Sequence, residues 1–326
     1  MKAAQTVLIA GTVLGALMKT SAMAQSYPTA PIHVTVPFPA GALDIFPRFI
    51  QPGMEKDLGQ PLIIEIKPGA SGFIGTEFVA RSAPDGYNVL FTSTSSVVTG
   101  PLVSADAKFD VERDFTPIAG LVGGSWALIV RSGLPVNNLA EFVAYTKANP
   151  GKVNYASSGL GSLPHVLGET LARAMGAQMI HVPYRGFPPA LQAMSGGEVD
   201  SMIMAVGFAR PLLVKGDAKI LAYDGVPMPS DMPTVPDLTK AVPGFETLEA
   251  PAGFFAPAKT PKAIVDRLNK AIRVGAAPPD VREKLLVAGQ NIIIGSPEEF
   301  GTVISNNIAA SKRVIGALKA AGVKFE

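Results

Sequence analysis

The sequence predicts an α/β protein of two domains, each built on a mainly parallel sheet. Short β-prone runs alternate with apolar-periodic helical segments along most of the chain, a pattern typical of parallel α/β sheets. Two β-like runs between Pro117 and Arg131, separated by Gly123-Gly124, predict a crossing from one domain to the other. The 326 residues, 48% of them hydrophobic, are enough for two ordinary cores.

The first 24 residues predict a secretory signal peptide. Lys2 precedes an apolar run from Val7 to Met18, and Ala22-Met23-Ala24 forms a small-x-small cleavage site. We therefore expect the mature chain to be exported. An uncleaved N-terminal anchor is the alternative, but this apolar run is short for a membrane span, and no later segment offers about 20 unbroken apolar residues.

The first domain is expected to comprise residues 25–125 plus 250–326. Its predicted strands are Ile32–Pro37, Leu62–Ile66 and Asn88–Thr92, and its predicted helices are Leu43–Leu58 and Thr76–Ala83. Pro52 should kink the first helix, because proline removes a backbone donor. The run Thr92-Ser93-Thr94-Ser95-Ser96 puts five hydroxyls at a strand end, which fits a solvated loop as well as a binding loop.

The second domain, residues 126–249, repeats the alternation. Its predicted strands are Val153–Ala156, Met179–Val182, Val199–Met204 and Ile220–Tyr223, and its predicted helices are Asn138–Ala148, Ser162–Met175, Pro188–Ser195 and Phe208–Val214. The proline-dense segment Val226–Pro243 predicts a surface connection, and Ala252–Ala256 a strand that returns to the first domain.

Two helix starts are marked near the C-terminus. Thr260-Pro261 predicts a cap with proline in the first turn. Ser296-Pro297-Glu298-Glu299 predicts a capping box that opens a final helix to about Ala321. We expect these C-terminal helices to pack on the first domain.

Charge and composition exclude several classes of function. Removing residues 1–24 removes Lys2 and Lys19, so Lys+Arg falls from 28 to 26 and equals the 26 Asp+Glu, without a basic cluster for nucleic acid. Cysteine is absent, and only three histidines are present, so we expect neither disulfides nor a metal site. No phosphate-loop or dinucleotide fingerprint occurs, and we expect no cofactor.

Two stretches predict anion-binding loops. Val153–His165 reads as a strand, a Ser/Gly loop and a helix start, and Val34–Asp44 has a similar design. At a helix start, unpaired backbone N–H groups and the helix dipole favour an anion. Ligands of such sheets collect at the carboxyl ends of strands, so two such loops across a cleft could hold a small carboxylate.

The motifs that follow carry a family resemblance over about 300 residues. They are V-P-F-P-x-G, P-G-A-x-G-x-I-G, A-P-D-G-Y, P-G-K-x-N-Y-A-S-S-G-x-G-S-x-x-H, H-V-P-Y-[KR]-G, G-G-x-V-D, M-P-T-V-P-D-L and P-G-F-E. In this order they resemble the Bug family, the periplasmic receptors of tripartite tricarboxylate transporters. The resemblance implies a type II-like periplasmic binding protein whose loops Phe38–Asp44 and Ser157–Ser162 grip one carboxylate in the cleft.

Three departures from the family pattern concern the pocket. The first loop reads P-F-P-A-G-A-L-D, which is one residue shorter and poorer in glycine than is common in the family. Leu160 replaces a frequent asparagine, and Met202–Val206 replaces an acidic or amide residue. With Phe38, Phe187 and Phe208, these changes favour an aromatic or otherwise hydrophobic carboxylate, with a dicarboxylate as the other option.

The candidate ligand-binding residues come from strand ends and helix starts. They are Phe38, Pro39, Ala40, Gly41, Asp44, Ser93, Thr94, Ser157, Ser158, Gly159, Gly161, Ser162, His165, Tyr184, Arg185, Met204 and Ala205. Some have ordinary structural alternatives. Asp44 could cap a helix, His165 could make a structural hydrogen bond, and Arg185 could form a surface ion pair. Met204 could belong to the core.

The sequence fits three classes of function to different degrees. A hydrolase is disfavoured because Gly161-Ser162-Leu163-Pro164 lacks the second glycine of a nucleophile elbow. A receptor that delivers its ligand to membrane transporter subunits fits best. A ligand sensor that presents its closed form to a membrane histidine kinase is the alternative. In each receptor case we expect a monomer.

Overall fold

A computed structural model of the chain describes residues 27–41, 43–224 and 232–325. The predicted signal peptide, Ala42 and residues 225–231 of the proline-dense connection lie outside the described residues. The strands are β1 (Ile32–Val36), β2 (Leu62–Ile66), β3 (Asn88–Ser93), β4 (Phe115–Gly124), β5 (Trp126–Arg131), β6 (Asn154–Ser157), β7 (Ile180–Pro183), β8 (Ser201–Ala205), β9 (Ala218–Tyr223), β10 (Ala252–Pro257) and β11 (Gln290–Ile292).

Helices alternate with these strands, and most start within three residues of the predicted positions. They are α1 (Ile45–Leu58), α2 (Phe73–Ala80), α3 (Gly100–Val103), α4 (Val111–Asp114), α5 (Leu139–Ala148), α6 (Leu163–Met175), α7 (Phe187–Ser195), α8 (Val206–Lys215), α9 (Leu238–Ala241), α10 (Lys262–Ala276), α11 (Pro279–Val287) and α12 (Pro297–Ala320). Within the described ranges, no helix is both long and apolar enough to cross a membrane.

The strands form two separate sheets. The first has six strands in the order β11-β4-β10-β3-β1-β2, and the second has five in the order β7-β6-β8-β5-β9. We call each sheet, with the helices packed on it, the first and the second lobe. The α/β fold is confirmed. The expectation of mainly parallel sheets is wrong, because only β2-β1-β3 and β7-β6-β8 pair in parallel.

The antiparallel pairs arise where the chain crosses between the lobes. β4 pairs antiparallel with β10 and β11 in the first sheet, and β5 pairs antiparallel with β8 and β9 in the second. One residue, Ser125, separates β4 from β5, so the crossing is nearly continuous. A strand that leaves one sheet to enter another has no crossover helix, and therefore need not lie parallel to its neighbours.

Helix starts confirm the capping box but correct two other predictions. The Ser296 hydroxyl accepts from Glu299 N–H, and the Glu299 carboxylate accepts from Ser296 N–H. Thr260 does not cap α10, because its hydroxyl donates to the Pro257 carbonyl. Helix α2 begins three residues before the predicted Thr76, directly after Gly72 at φ +95°.

The run of hydroxyls after β3 is not a loop. Ser95–Thr99 forms a π-helical turn that continues into α3. Thr99 Oγ1 lies 3.2 Å from Ser311 Oγ of α12, and both side chains are buried. Since serine and threonine are modest helix formers, we attribute this helix to its packing on α12 rather than to its sequence.

Helix α12 contacts the cores of both lobes, so it does not pack on the first lobe alone. Phe300 and Ile304 near its start lie in a first-lobe cluster with Phe255. Val314 and Leu318 near its end lie in the second-lobe cluster. Burial of these side chains, at roughly 1.5–3 kcal/mol each, joins the two lobes through α12.

Candidate ligand-binding site

Three helices of the second lobe begin at one edge of its sheet without a side-chain cap. β7, β6 and β8 run parallel, so their carboxyl ends share that edge, and α7, α6 and α8 follow them directly. In the same lobe, α5 and α9 begin elsewhere and are capped by Asn138 and Asp237. The edge therefore collects three positive helix ends. Their first turns offer few donors, because Pro164, Pro188 and Pro189 have no N–H and Val206 N–H donates to the Ser125 carbonyl. The donors that remain include the N–H groups of Leu163 and Phe187.

The loop after β6 is held by its own hydroxyls. Ser157 Oγ donates to the Gly159 carbonyl at 2.9 Å and accepts from Gly159 N–H at 3.2 Å. Ser162 Oγ donates to the same carbonyl at 2.7 Å. Ser158 is half-buried, and its carbonyl accepts from Gly186 N–H. The hydroxyls of Ser157 and Ser162 thus shape the loop from within.

His165 is buried against this loop rather than open to solvent. Its Nδ1 accepts from Gly161 N–H at 3.0 Å, and its side chain is about 2% exposed. The His181 ring stacks on it with centroids 3.8 Å apart, and His181 Nε2 lies 2.6 Å from Ser157 Oγ. Burial lowers the pKa of His181 to about 4, and burial with the neighbouring His181 lowers that of His165 to about 3. Both rings are neutral near pH 7.

The loop after β1 is held by a carboxylate. Asp44 Oδ1 accepts from Gly41 N–H at 2.7 Å, and Oδ2 accepts from Arg48 Nε at 3.1 Å. The Asp44 side chain makes no capping bond to α1, so the expectation of a capping carboxylate is wrong. Its side chain reaches back into the loop instead. Pro39 and Ala40 are exposed at the tip.

The glycine-rich motif after β2 supports the same loop. A Cβ on Gly72 would lie 3.3 Å from Phe38 Cζ, and one on Gly75 would lie 2.9 Å from Pro37 Cβ. The two glycines therefore let backbone approach the start of the first loop closely.

Hydroxyls also gather at the end of β3. Ser93 Oγ lies 2.8 Å from Ser95 Oγ and 3.4 Å from Ser96 Oγ, and all three side chains are half-buried. Thr94 is fully buried instead, and its N–H donates to the Pro251 carbonyl. Since β3 neighbours β1, the serine cluster lies on the same sheet edge as the first loop.

The residues after β7 differ in exposure. Tyr184 is half-buried, and burial raises its pKa. A Cβ on Gly159 would lie 3.6 Å from the Tyr184 carbonyl, so the two loops touch. Arg185 is exposed and makes no ion pair with any residue in the described ranges, contrary to the surface ion-pair alternative.

Aromatic rings line the ends of β7 and β8. Phe187 and Phe208 stack with centroids 4.8 Å apart, and Trp126 lies 6.3 Å from Phe187. Met204 and Ala205 are buried in β8, with Met204 in the core beneath. Phe187 and Phe208 stay half-buried at the first turns of α7 and α8, which gives this edge an apolar wall.

Two contacts bring this edge against the first lobe. A Cβ on Gly161 would lie 2.4 Å from Val103 Cγ2 of α3. Gly207 of α8 packs just as closely on the turn at Ala288 and Gly289 of the first lobe. A Cβ on Gly207 would lie 2.2 Å from the Ala288 carbonyl oxygen. The turns after β6 and β8 therefore abut the first lobe, as a site shared by both lobes requires.

A cavity of about 390 Å³ lies elsewhere, beside the crossing strands, and includes none of the predicted residues. Asp224, Glu249 and Glu299 line it. Three carboxyl groups would repel an anion in this cavity. The loops after β1 and β6 are therefore a better place for a carboxylate than the cavity is. In the described residues no group of three or more His, Asp or Glu could hold a metal ion.

A family model described as tripartite tricarboxylate transporter family receptor matches residues 46–320. The chain belongs to this receptor family. Its members are substrate-binding receptors, not enzymes, and the predicted family is confirmed. The receptor is a solute-binding protein of the periplasmic class.

Relatives match along most of the chain. A UPF0065 protein of Bordetella bronchiseptica is 32% identical over 302 residues, covering 92% of this chain and 89% of that protein. Protein BugT of Bordetella pertussis is 29% identical over 323 residues, covering 96% and 98%.

Solved structures share the fold. MatC of Rhodopseudomonas palustris with bound malate superposes with a TM-score of 0.79 at 30% identity, covering 89% of this receptor and 100% of that chain. Rpa4515 of R. palustris with adipate superposes with a TM-score of 0.82 at 29% identity, covering 91% and 99%.

Sequence reasoning missed three residues beside the two candidate loops. Ser95 and Ser96 lie in the hydroxyl run after β3 but are not among the candidate ligand-binding residues. His181 lies inside the H-V-P-Y motif, which was used only for Tyr184 and Arg185. The contact between the His181 ring and the loop after β6 depends on how two strands pair, and so it has no local sequence signal.

Proposed function

We propose that the mature receptor binds a small organic carboxylate between its lobes and delivers it to a tripartite tricarboxylate-type transporter. The observation that carries this proposal is the convergence of the α6, α7 and α8 N-termini at the sheet edge that abuts the first lobe. Backbone N–H groups at helix ends bind a carboxylate without a buried cation, and each charge-assisted bond contributes about 1.5–3 kcal/mol.

The donors differ from those that the glycine motifs suggest. Gly41 N–H and Gly161 N–H are already bonded to Asp44 and His165. We assign the ligand contacts to first-turn N–H groups, such as that of Leu163, and to the serine hydroxyls at the end of β3. The two glycine bonds hold the loops in shape.

The ligand carries an apolar chain or ring on the side opposite the bound carboxylate. Phe187 and Phe208 form the wall that would contact it, and the buried Trp126 packs behind Phe187. An apolar wall penalises a second buried charge that finds no partner, whereas it tolerates several hydrocarbon shapes. Arg185, exposed next to this wall, could pair with a second carboxylate at the rim. Adipate, bound by one R. palustris relative, carries such a chain, and malate, bound by another, is the shorter and more polar comparison.

The domain and export predictions complete the proposal. Residues 25–125 plus 250–326 form one domain and residues 126–249 the other, with α12 packed on both. Cleavage after Ala24 releases the receptor into the periplasm. The N-terminal sequence of the protein recovered from the periplasm tests this step, and a start at Met1 would contradict it.

A thermal-shift screen of the receptor recovered from the periplasm tests ligand class. Malate, adipate and benzoate are compared with malamide, adipamide and benzamide, which match their shapes without the charge. A ligand at about 100 times its Kd should stabilise the fold by roughly 2.7 kcal/mol. Stabilisation by the carboxylates alone supports the proposal, whereas equal shifts with the amides, or no shift with any acid, contradict it.

A further inference from the structure

Four rings form a column behind the loop after β6, and three of them are buried while His181 is half-buried. Tyr155 lies 5.0 Å from His181, His181 lies 3.8 Å from His165, and His165 lies 5.2 Å from Phe325, measured between ring centroids. The two imidazoles are nearly parallel, at 5°. The column joins β6, β7, α6 and the C-terminal segment, so its position is fixed from four directions.

Each imidazole holds one end of the loop. His181 Nε2 bonds Ser157 Oγ at the loop's start, and His165 Nδ1 accepts from Gly161 N–H near its end. The Ser157 hydroxyl proton is directed at the Gly159 carbonyl, so His181 Nε2 is the donor in its bond. Because Gly161 N–H donates, His165 Nδ1 carries no proton. Both tautomers are thereby assigned.

The loop geometry requires uncharged rings. A proton on His165 Nδ1 would point at the Gly161 N–H and replace an acceptor with a donor. A charge on either ring would face the other ring 3.8 Å away. The remaining titratable groups in the column are Tyr155 and Glu169, which hydrogen-bond each other at 2.5 Å. Burial lowers the pKa of both histidines, in keeping with this geometry.

We propose that His165 and His181 are positioning residues for ligand binding: as a neutral stacked pair they fix the Ser157–Gly161 loop so that the α6 N-terminus points at the carboxylate. Neither ring touches the ligand. This inference rests on the proposed function, since it concerns how the same site is held in shape.

Matched substitutions separate the hydrogen bonds from the ring packing. His165→Phe and His181→Phe keep a flat ring but lose the bonds. His165→Asn places an amide oxygen near the former Nδ1, and His181→Gln places an amide N–H near the former Nε2. We expect Kd for the best acid among malate, adipate and benzoate to rise about tenfold or more in the phenylalanine variants and to stay within about threefold in the amide variants.

Two control variants alter nearby groups without touching the loop. Tyr155→Phe removes the bond to Glu169 but keeps the ring, and His33→Gln changes a histidine that pairs with Glu65 on β2. Both should bind as the wild type does. Wild-type affinity in the phenylalanine variants, or equal losses in the phenylalanine and amide variants, would overturn the proposal.

Hydrogen exchange of the Gly161 amide provides a readout that needs no ligand. His165→Phe should accelerate this exchange at least about tenfold, and His165→Asn should not. If the wild type binds none of the acids, the proposed function fails, and unchanged Gly161 exchange in His165→Phe separately overturns the positioning role. If a phenylalanine variant does not fold, Ser157→Ala removes the partner of His181 with both rings intact. It should weaken binding in the same way, and wild-type affinity there would also overturn the proposal.

Discussion

The loops after β1 and β6 use one design with different chemistry. In each, a glycine with positive φ, Gly41 or Gly161, donates its N–H to a side chain at the start of the following helix. The acceptor in the first lobe is the Asp44 carboxylate beside Arg48, and in the second lobe it is the neutral His165 ring. Charged side chains fix the loop after β1, whereas packed neutral rings fix the loop after β6. Changes in pH, in side-chain volume and in salt concentration should therefore affect the two loops unequally.

Lowering the pH should affect the second loop most. The folded-state pKa values of His165 and His181, about 3 and about 4, lie below the unfolded value of about 6.5. Below pH 6.5 the unfolded chain takes up protons that the folded protein does not. The free energy of unfolding should therefore fall by at most about 1.4 kcal/mol per pH unit for His165, and by less for the half-buried His181, until the folded pKa is passed.

Urea unfolding between pH 7 and pH 4.5 measures this slope. Other groups titrate in the same range, so the comparison is with the His165→Asn/His181→Gln double variant, which lacks both imidazoles. The double variant should lose less stability on acidification than the wild type. Parallel curves would show that the ring column is not the pH-sensitive element.

Adding a methyl group to each glycine should distinguish the loops by volume. Gly41→Ala meets no heavy atom within 4 Å, so only the left-handed conformation opposes it, at about 1–2 kcal/mol. Gly161→Ala carries the same strain and also meets Val103 Cγ2 at 2.4 Å, which adds about 1–3 kcal/mol. Chemical denaturation of the two variants gives both values.

Trimming the opposing side chain identifies the source of the difference. Combined with Val103→Ala, Gly161→Ala should destabilise the protein less than the sum of the two single changes. Strictly additive losses would mean that Val103 does not oppose the new methyl group.

Removing the Asp44 carboxylate should weaken binding through the first loop. Asp44→Ala removes the acceptor of the Gly41 N–H. Because Gly41 is exposed, water can replace that acceptor, so the loss should be about 1 kcal/mol and Kd for the bound acid should rise about fivefold. Asp44→Asn retains an oxygen for that N–H and should lie closer to the wild type. Calorimetric titration compares the three proteins, and equal affinities in all of them would show that loop shape does not control binding.

Arg48→Ala should have the smallest effect. The Arg48 side chain is 48% exposed, and exposed ion pairs contribute at most about 1 kcal/mol, which salt screens. We expect a small loss of stability in low salt that disappears near 1 M salt. A larger loss that survives high salt would mean that Arg48 acts through packing instead.

The local elements of the fold could be predicted, because they depend on nearby residues. Strand β2 has the predicted limits, and the Ser296 capping box is a four-residue pattern. The direction of β10 and the helix after β3 could not be predicted. The first depends on pairing with β3 and β4, and the second on contacts with α12.

The candidate site shows the same division. Glycines and hydroxyls marked the two loops, since small residues next to a helix start have a local signature. The partners that hold the loops were predicted less well. Asp44 was expected to cap α1 or meet ligand, and His181 was not selected, because its contact with Ser157 depends on the pairing of β6 and β7.

The meeting of Gly207 with the Ala288–Gly289 turn has a consequence for motion. This contact lies beside the crossing strands, because Val206 N–H donates to the Ser125 carbonyl and Gln290 pairs with Gly124. Main chain is packed against main chain there, and α12 adds side chains that are buried in the cores of both lobes. Opening of the lobes should therefore pivot near this contact, with the difference in ligand affinity between the open and shut forms setting the balance.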